Sequence, residues 1–192
     1  AGRIHAEGRR RALTLETKSS PTDVVSQVDR EAEQLIMRRL STERPRDALL
    51  AEEGSLLTGE SGVRWIVDPL DGTTNYVYGY PAYAASIAVE VDGIVTVGAV
   101  LDSASGRLYR AIAGHGAVCG ERRLRARRSA DLSTALVATG FSYDAAQRER
   151  QGAVVAAALG RIRDIRRGGT AALDLCRVAA GEVDAYWELD LS

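Results

Sequence analysis

Asp68 and Asp71 flank Pro69-Leu70 and are followed at once by Gly72-Thr73-Thr74-Asn75. Two carboxylates at the end of the apolar run Trp65-Ile66-Val67 are costly to bury unless cations neutralise them. Magnesium suits that task, because a hard ion takes carboxylates, carbonyls and water as ligands. Leu70 can contribute only its backbone carbonyl, placed between the two acids. Taken alone, Asp-Pro-x-Asp-Gly is more often an Asx turn. The next residues shift that reading. Gly72-Thr73-Thr74 begins a helical segment, and the N–H groups exposed at a helix start bind phosphate oxygens. A phosphate beside two aspartates needs a metal between them. A third acidic feature, Glu52-Glu53, closes the short apolar run Leu49-Leu50-Ala51. It reads either as a solvated acid pair or as a further metal ligand.

The chemistry implied is phosphate ester hydrolysis. A phosphomonoester dianion is a poor electrophile; metals neutralise it, lower the pKa of a bound water and stabilise both the attacking and leaving oxygens. The expected path is in-line attack by a metal-activated water without a covalent enzyme intermediate. Neither His nor Cys is required, in a chain with two of each. His5 and His115 are expected at the surface or in turns. Cys119 and Cys176 show no CxxC spacing and read as buried thiols of a reducing compartment.

These residues need elements to hold them. Residues 1–17 read as a polar, Arg-rich helix, and Pro21 breaks the following loop. Ser26, with Asp29 three residues on, is a capping signal for a helix whose apolar face is Val28, Ala32, Leu35, Ile36 and Leu40. Residues 41–48 form a polar connection and residues 54–62 a glycine-containing loop. Val63 to Val67 reads as a strand stopped by Asp68-Pro69, and residues 72–80 as a turn opening into a short helix. Ser86–Val91 and Ile94–Leu101 flank Asp92-Gly93, a strong hairpin signal. Arg107–Ala113 is a further strand and 114–120 a glycine-bounded turn. A helix over Ala145–Leu159, a strand at Ile162–Arg166, a helix over Ala171–Ala180 stopped by Gly181, and a strand at Val183–Glu188 complete the chain. Strand runs between helices without strict alternation imply layered, mixed α and β.

The 192 residues suffice for one domain with a real core, so 1–192 is expected to be a single, incomplete domain. Hydrophobic residues are 45% and the net charge is −1, which gives no global basic field for nucleic acid. No apolar run reaches the roughly 18 residues of a membrane span. The first ten residues carry charges where a signal peptide needs its apolar centre. A cytoplasmic protein without membrane or nucleic-acid partners is the expectation. The five arginines of 122–128 read as a solvated strand edge or as a surface for RNA or another protein. No P-loop, Gly-x-Ser-x-Gly or dinucleotide loop is present.

Trp65-Ile-Val-Asp-Pro-Leu-Asp-Gly-Thr-Thr-Asn-Tyr76 resembles the first signature of the inositol monophosphatase family, a branch of the lithium-sensitive, magnesium-dependent phosphatases. The resemblance continues in Lys18-Ser-Ser-Pro-Thr-Asp-Val-Val-Ser-Gln-Val-Asp29, in Ala51-Glu52-Glu53, in Gly168-Gly-Thr-Ala-Ala-Leu-Asp174 and in Gly181–Glu188. It implies a layered αβαβα sandwich of the sugar-phosphatase kind, two or three magnesium ions, a small phosphomonoester substrate and a homodimer. It implies that Glu52, Asp68 and the Leu70 carbonyl hold one ion and that Asp68 and Asp71 share a second. Thr73 with Glu52 would orient the nucleophilic water, and Asp29 would hold the Thr73 hydroxyl. The Gly72 and Thr73 backbone would bind phosphate, while Gly169, Thr170, Ala171 and Glu188 would line the pocket for the substrate's hydroxyl-bearing body. Lys18 matches a position near the site. Inositol monophosphate is the expected substrate, ahead of histidinol phosphate or another sugar phosphate. The alternative from another class is a catalytically incomplete protein with an RNA- or protein-binding role.

The chain departs from the family at its end. A Trp-Asp signature completing the second metal site is expected after Glu188, and Asp190 lies too close to Glu188 to serve. A missing C-terminal part and a weakly active or inactive fragment are therefore expected.

Overall fold

A computed structural model describes residues 1–11, 15–17, 24–54, 56–128 and 131–189. Lys18 and Asp190 lie outside the described residues. In chain order the elements are α1 (Gly2–Gly8), β1 (Leu15–Thr17), β2 (Val24–Ser26), α2 (Gln27–Glu43), β3 (Ala48–Ala51), β4 (Leu56–Leu57), β5 (Val63–Asp71), α3 (Thr73–Tyr78), β6 (Ala84–Val91), β7 (Ile94–Asp102), β8 (Leu108–Ile112), β9 (Gly116–Cys119), β10 (Arg122–Arg123), β11 (Leu136–Thr139), α4 (Ala145–Leu159), β12 (Asp164–Arg166), α5 (Ala171–Ala180) and β13 (Ala185–Trp187).

Eight strands form one sheet in the order β10-β9-β8-β7-β6-β5-β3-β4, and three form a second in the order β12-β11-β13. In the large sheet β3 and β5 run parallel, while the meander from β5 to β10 is antiparallel. In the small sheet β11 runs parallel to both neighbours. Helix α2 starts where the sequence places it. The Ser26 side chain caps the first turn and Asp29 reaches back to the Ser26 N–H, a complete capping box. Its apolar face sends Ile36, Met37 and Leu40 onto Leu49, Val67, Trp65 and Ile87 of the large sheet. On the other side, Leu173 and Ala180 of α5 pack against Ala84 and Tyr109. Ala84 and Ile87 are an odd number of residues apart on one strand, so α2 and α5 cover opposite faces. Helix α5 also touches β11 and β13, which puts it between the two sheets. The step β11-α4-β12 runs opposite to β12-α5-β13, and right-handed crossovers place α4 on the outer face of the small sheet. The layers are therefore αβαβα, as expected.

Four expectations about elements are corrected. The first helix ends at Gly8, and Leu15–Thr17 pairs with β2 instead of prolonging it. Helix α2 continues to Glu43, into the expected connection. Residues 116–119 are a strand, because they complete the ladder with β8. Most relevant to the site, β5 does not stop at Asp68. It runs to Asp71 through a register shift between Asp68 and Asp71. Proline interrupts a ladder unless it falls at a bulge, and Pro69 falls there.

Candidate active site

The bulge turns the end of β5 toward a cleft of about 170 Å³. Glu52 reaches it from the end of β3, Asp68, Leu70 and Asp71 from β5, and Gly72 and Thr73 from the entry to α3. The opposite wall comes from Thr139, Gly140 and Phe141 after β11, from Gly169–Ala171 at the start of α5, and from Tyr186 and Glu188 on and after β13. Parallel strands β3, β5, β11 and β13 all end here. Crevices at the carboxyl ends of such strands are where open α/β sheets bind ligands.

Each acid is held differently. The Asp71 carboxylate accepts from the Ala172 N–H at 2.8 Å and from the Thr170 hydroxyl, which ties the β5 bulge to the first turn of α5. Burial pushes its pKa up to about 6, against those hydrogen bonds. Asp68 is raised further, by burial first and then by the negative charges of Glu52 and Asp71. It accepts one bond from the Leu70 N–H at 3.0 Å. The Glu52 backbone N–H donates to the Val67 carbonyl at 3.0 Å, which fixes the end of β3 beside β5. Among the described residues, no three His, Cys, Asp or Glu side chains stand close enough together to hold an ion. The donor set still fits magnesium. It is all oxygen, with the Leu70 carbonyl between two carboxylates, the ligand type a hard divalent ion takes.

Thr73 is buried. Its hydroxyl lies 2.8 Å from Asp29 and 3.0 Å from the Leu70 carbonyl. Asp29 is fully buried and also accepts from the Ser26 N–H at 2.9 Å and the Ser26 hydroxyl at 2.5 Å. Burial raises its pKa, opposed by those donors. The α2 capping box therefore doubles as the support of Thr73. Gly72 sits at φ 86°, and a Cβ there would come within 3.0 Å of the Ala82 carbonyl and 3.2 Å of the Gly169 carbonyl. Only glycine makes that turn without strain and lets the two loops approach. Glu188 accepts from the Tyr186 hydroxyl.

Every cleft residue expected from the sequence is brought to one place except Asp29, which stands behind Thr73. One expectation is overturned. His5 is fully buried, with Nε2 3.0 Å from the Pro69 carbonyl and Nδ1 2.8 Å from the Ser103 hydroxyl. It packs beside Tyr76 and Tyr83 and backs the acid-bearing bulge. His115 is exposed in a turn, as expected. Sequence reasoning also missed Asn75, whose amide donates at 2.8 Å to both the Ala82 and Gly168 carbonyls. It missed Asp174, buried on Arg177 at 2.6 Å, and Arg167 at the cleft wall. Asn75 could have been found from its place in the first turn of α3; nothing local marks His5. The arginines of 122–128 begin on β10, the edge of the large sheet. Arg123 and Arg127 donate to the His115 and Gly181 carbonyls.

A mixed α/β layered fold with an acidic cleft beside a glycine turn defines the class of the sugar-phosphatase sandwiches. The chain belongs to the inositol monophosphatase family, whose sequence profile matches residues 1–192. It is 47% identical over 183 residues to an inositol-1-monophosphatase of Mycobacterium leprae, covering 91% of this chain and 63% of that protein. It is 41% identical over 177 residues to a Nus factor SuhB of Vibrio cholerae, covering 91% and 66%. Its fold matches that of extragenic suppressor protein suhB from Bartonella henselae with a TM-score of 0.93 at 37% identity, over 100% of this chain and 74% of the other. An IMPase/NADP phosphatase complexed with Mg2+ and phosphate matches with a TM-score of 0.82 at 30% identity, over 97% and 70%. The chain thus spans 63% of the length of the Mycobacterium leprae relative.

Proposed function

We propose that this chain carries most of the active site of a magnesium-dependent phosphomonoesterase acting on inositol monophosphate or a close polyol phosphate. The observation that carries the proposal is the convergence of Glu52, Asp68, Asp71 and Thr73 on one cleft beside the Gly72–Thr73 turn. Glu52, Asp68, the Leu70 carbonyl and Asp71 would hold the ions, two or three in number. When bound there, magnesium supplies the positive charge that neutralises a phosphate dianion and acidifies water.

The chain's own groups do the rest. The Gly72 and Thr73 N–H groups face the phosphate. Asp29 accepts a hydrogen bond from the Thr73 hydroxyl and thereby sets which way the Thr73 oxygen lone pairs point. Thr73 and Glu52 then orient a water for in-line attack, with Glu52 positioned to take its proton. Gly169, Thr170, Ala171 and Glu188 face the alcohol that leaves. The Glu188 carboxylate accepts hydroxyl hydrogens, which favours a polyol over an apolar leaving group. Inositol monophosphate fits that wall, ahead of histidinol phosphate. The solvent-facing Ile94, Val95 and Ile112, each more than half exposed, support a homodimer, and the reading takes the enzyme to be cytoplasmic.

The test is phosphate release from inositol 1-phosphate and histidinol phosphate by the natural full-length polypeptide, with magnesium and with a chelator. Magnesium-dependent turnover of the inositol ester, abolished in Asp71→Asn, is the expected result. Equal release by Asp71→Asn and the parent would refute the metal assignment.

A further inference from the structure

The bulge in β5 leaves Pro69 and Leu70 without a pairing residue on β6, and both are buried. A buried backbone carbonyl there needs a donor from another element. His5 of α1 supplies it across 64 residues of sequence, with Nε2 3.0 Å from the Pro69 carbonyl. The ring is fully buried, and burial keeps it neutral at pH 7. A carbonyl can only accept, so Nε2 carries the single ring hydrogen and Nδ1 accepts from the Ser103 hydroxyl at 2.8 Å. Ser103 is itself fixed, its N–H donating to the Tyr83 carbonyl at 3.1 Å. The Tyr83 and His5 rings meet edge-to-face, and the Tyr76 hydroxyl donates to the His5 carbonyl at 2.7 Å. The imidazole therefore has one orientation and one tautomer.

What this fixed donor holds is a peptide plane. In a trans peptide the C=O and the N–H of the next residue point in opposite directions. With the Pro69 carbonyl turned toward His5, the Leu70 N–H is turned the other way, where it donates to Asp68 Oδ1 at 3.0 Å. The Leu70 carbonyl that follows accepts from the Thr73 hydroxyl at 3.0 Å. We propose that His5 is a positioning residue for the magnesium site: it fixes the Pro69–Leu70 plane, and through it the direction in which Asp68 and the Leu70 carbonyl present their oxygens. The proposal rests on the phosphatase reading and adds to it a residue outside the cleft. A side chain that merely filled the core would need no donor, and an aliphatic group of similar volume would serve. Here the ring's only hydrogen is spent on the peptide between the Asp68 carboxylate and the Leu70 carbonyl.

The experiment titrates the natural full-length polypeptide with magnesium alone in a calorimeter and measures each variant's denaturant midpoint beside it. His5→Leu fills the space and removes the donor. It should raise the magnesium Kd about tenfold, the lower end of the loss when a partner that orients a metal ligand is removed. His5→Gln keeps an amide donor for the Pro69 carbonyl and should recover most of that affinity. Ser103→Ala frees Nδ1 and should weaken magnesium by a smaller factor. Leu124→Ala, in the core cluster with Ala180 at the last turn of α5, is the control for stability alone. It should lower the midpoint and leave the magnesium Kd at the parental value. A parental Kd in His5→Leu, or a Gln variant no better than Leu, would overturn the inference. So would a Leu124→Ala that weakens magnesium as much as His5→Leu. Where His5→Leu does not fold, Ser103→Ala decides, and a parental Kd there overturns the inference. A parent that binds no magnesium would remove the phosphatase reading together with it.

Discussion

The Thr73 hydroxyl lies 2.8 Å from the carboxylate of Asp29, across 44 residues of sequence. Asp29 has no other partner among cleft residues; its remaining bonds go to Ser26, at the start of the same helix. A helix cap therefore sets the orientation of a hydroxyl in the cleft. Thr73→Ser should keep most activity, because it keeps the hydroxyl. Thr73→Val should lose roughly 10²- to 10⁴-fold in kcat, the range for a group positioning a proton-transfer step. Asp29→Asn should lose about 10- to 100-fold, the usual cost of an outer-shell partner, with a small change in KM. Steady-state kinetics on the three variants check the ranking. A Thr73→Val enzyme with parental kcat would remove Thr73 from the chemistry.

Asp71 joins two halves of the site, since one oxygen accepts from both Thr170 and Ala172. Asn keeps an acceptor oxygen at that place and loses the charge. Asp71→Asn should therefore fold and lose its response to magnesium. In the parent, magnesium at about 100 times its dissociation constant should stabilise by roughly 2.7 kcal/mol through mass action. Thermal melts with magnesium and with a chelator read this directly. The expected outcome is an upward Tm shift in the parent and little or none in Asp71→Asn.

His5 makes folding pH-sensitive in a definite direction. Burial lowers its pKa from 6.5 to about 4 in the fold. Above pH 6.5 it is neutral in both states and costs nothing. As pH falls from 6.5 toward 4, the unfolded chain takes up a proton that the folded chain refuses, so stability declines across that window. The full loss is roughly 2 to 4 kcal/mol. Denaturant titrations at pH 7.5 and pH 4.5 should show this decline in the parent and a smaller one in His5→Gln. Gln retains an amide donor for the Pro69 carbonyl, and it does not titrate.

The parts legible in the sequence share one property: their geometry is written in adjacent residues. The Asp68–Asn75 stretch packs acids, glycine turn and helix start into eight positions, and Ser26 with Asp29 is a local cap. Hairpin Asp92-Gly93 and helix Ala171–Ala180 are equally local. What was hidden depends on partners far away. Pro69 reads as a strand breaker until β6 offers a register that absorbs it. Gly116–Cys119 reads as a turn until β8 pairs with it. His5 reads as a surface residue because only the fold brings Pro69 and Ser103 to its two nitrogens. Arg167 and Phe141 meet only when β11 and the loop after β12 end side by side.

Asn75 tests whether the two loops of the cleft are held as a unit. Its amide nitrogen donates to Ala82 on one side and to Gly168 on the other, both at 2.8 Å. Gly168 opens the segment that leads to Gly169, Thr170 and Ala171, while Asn75 belongs to the helix that begins at the Gly72 turn. An aspartate of the same shape would present an acceptor to two acceptors. Asn75→Asp should therefore cost about 1 to 3 kcal/mol for each carbonyl left without its donor, read as a lowered denaturant midpoint. Because the same bond sets the spacing between the phosphate turn and the leaving-group wall, KM should rise as well. Asn75→Gln keeps the donor on a longer stem; it should recover much of the stability and little of the KM, since the spacing would still be wrong. Recovery of both by Gln, or a lowered midpoint with an unchanged KM in Asp, would show that Asn75 serves the fold and not the cleft.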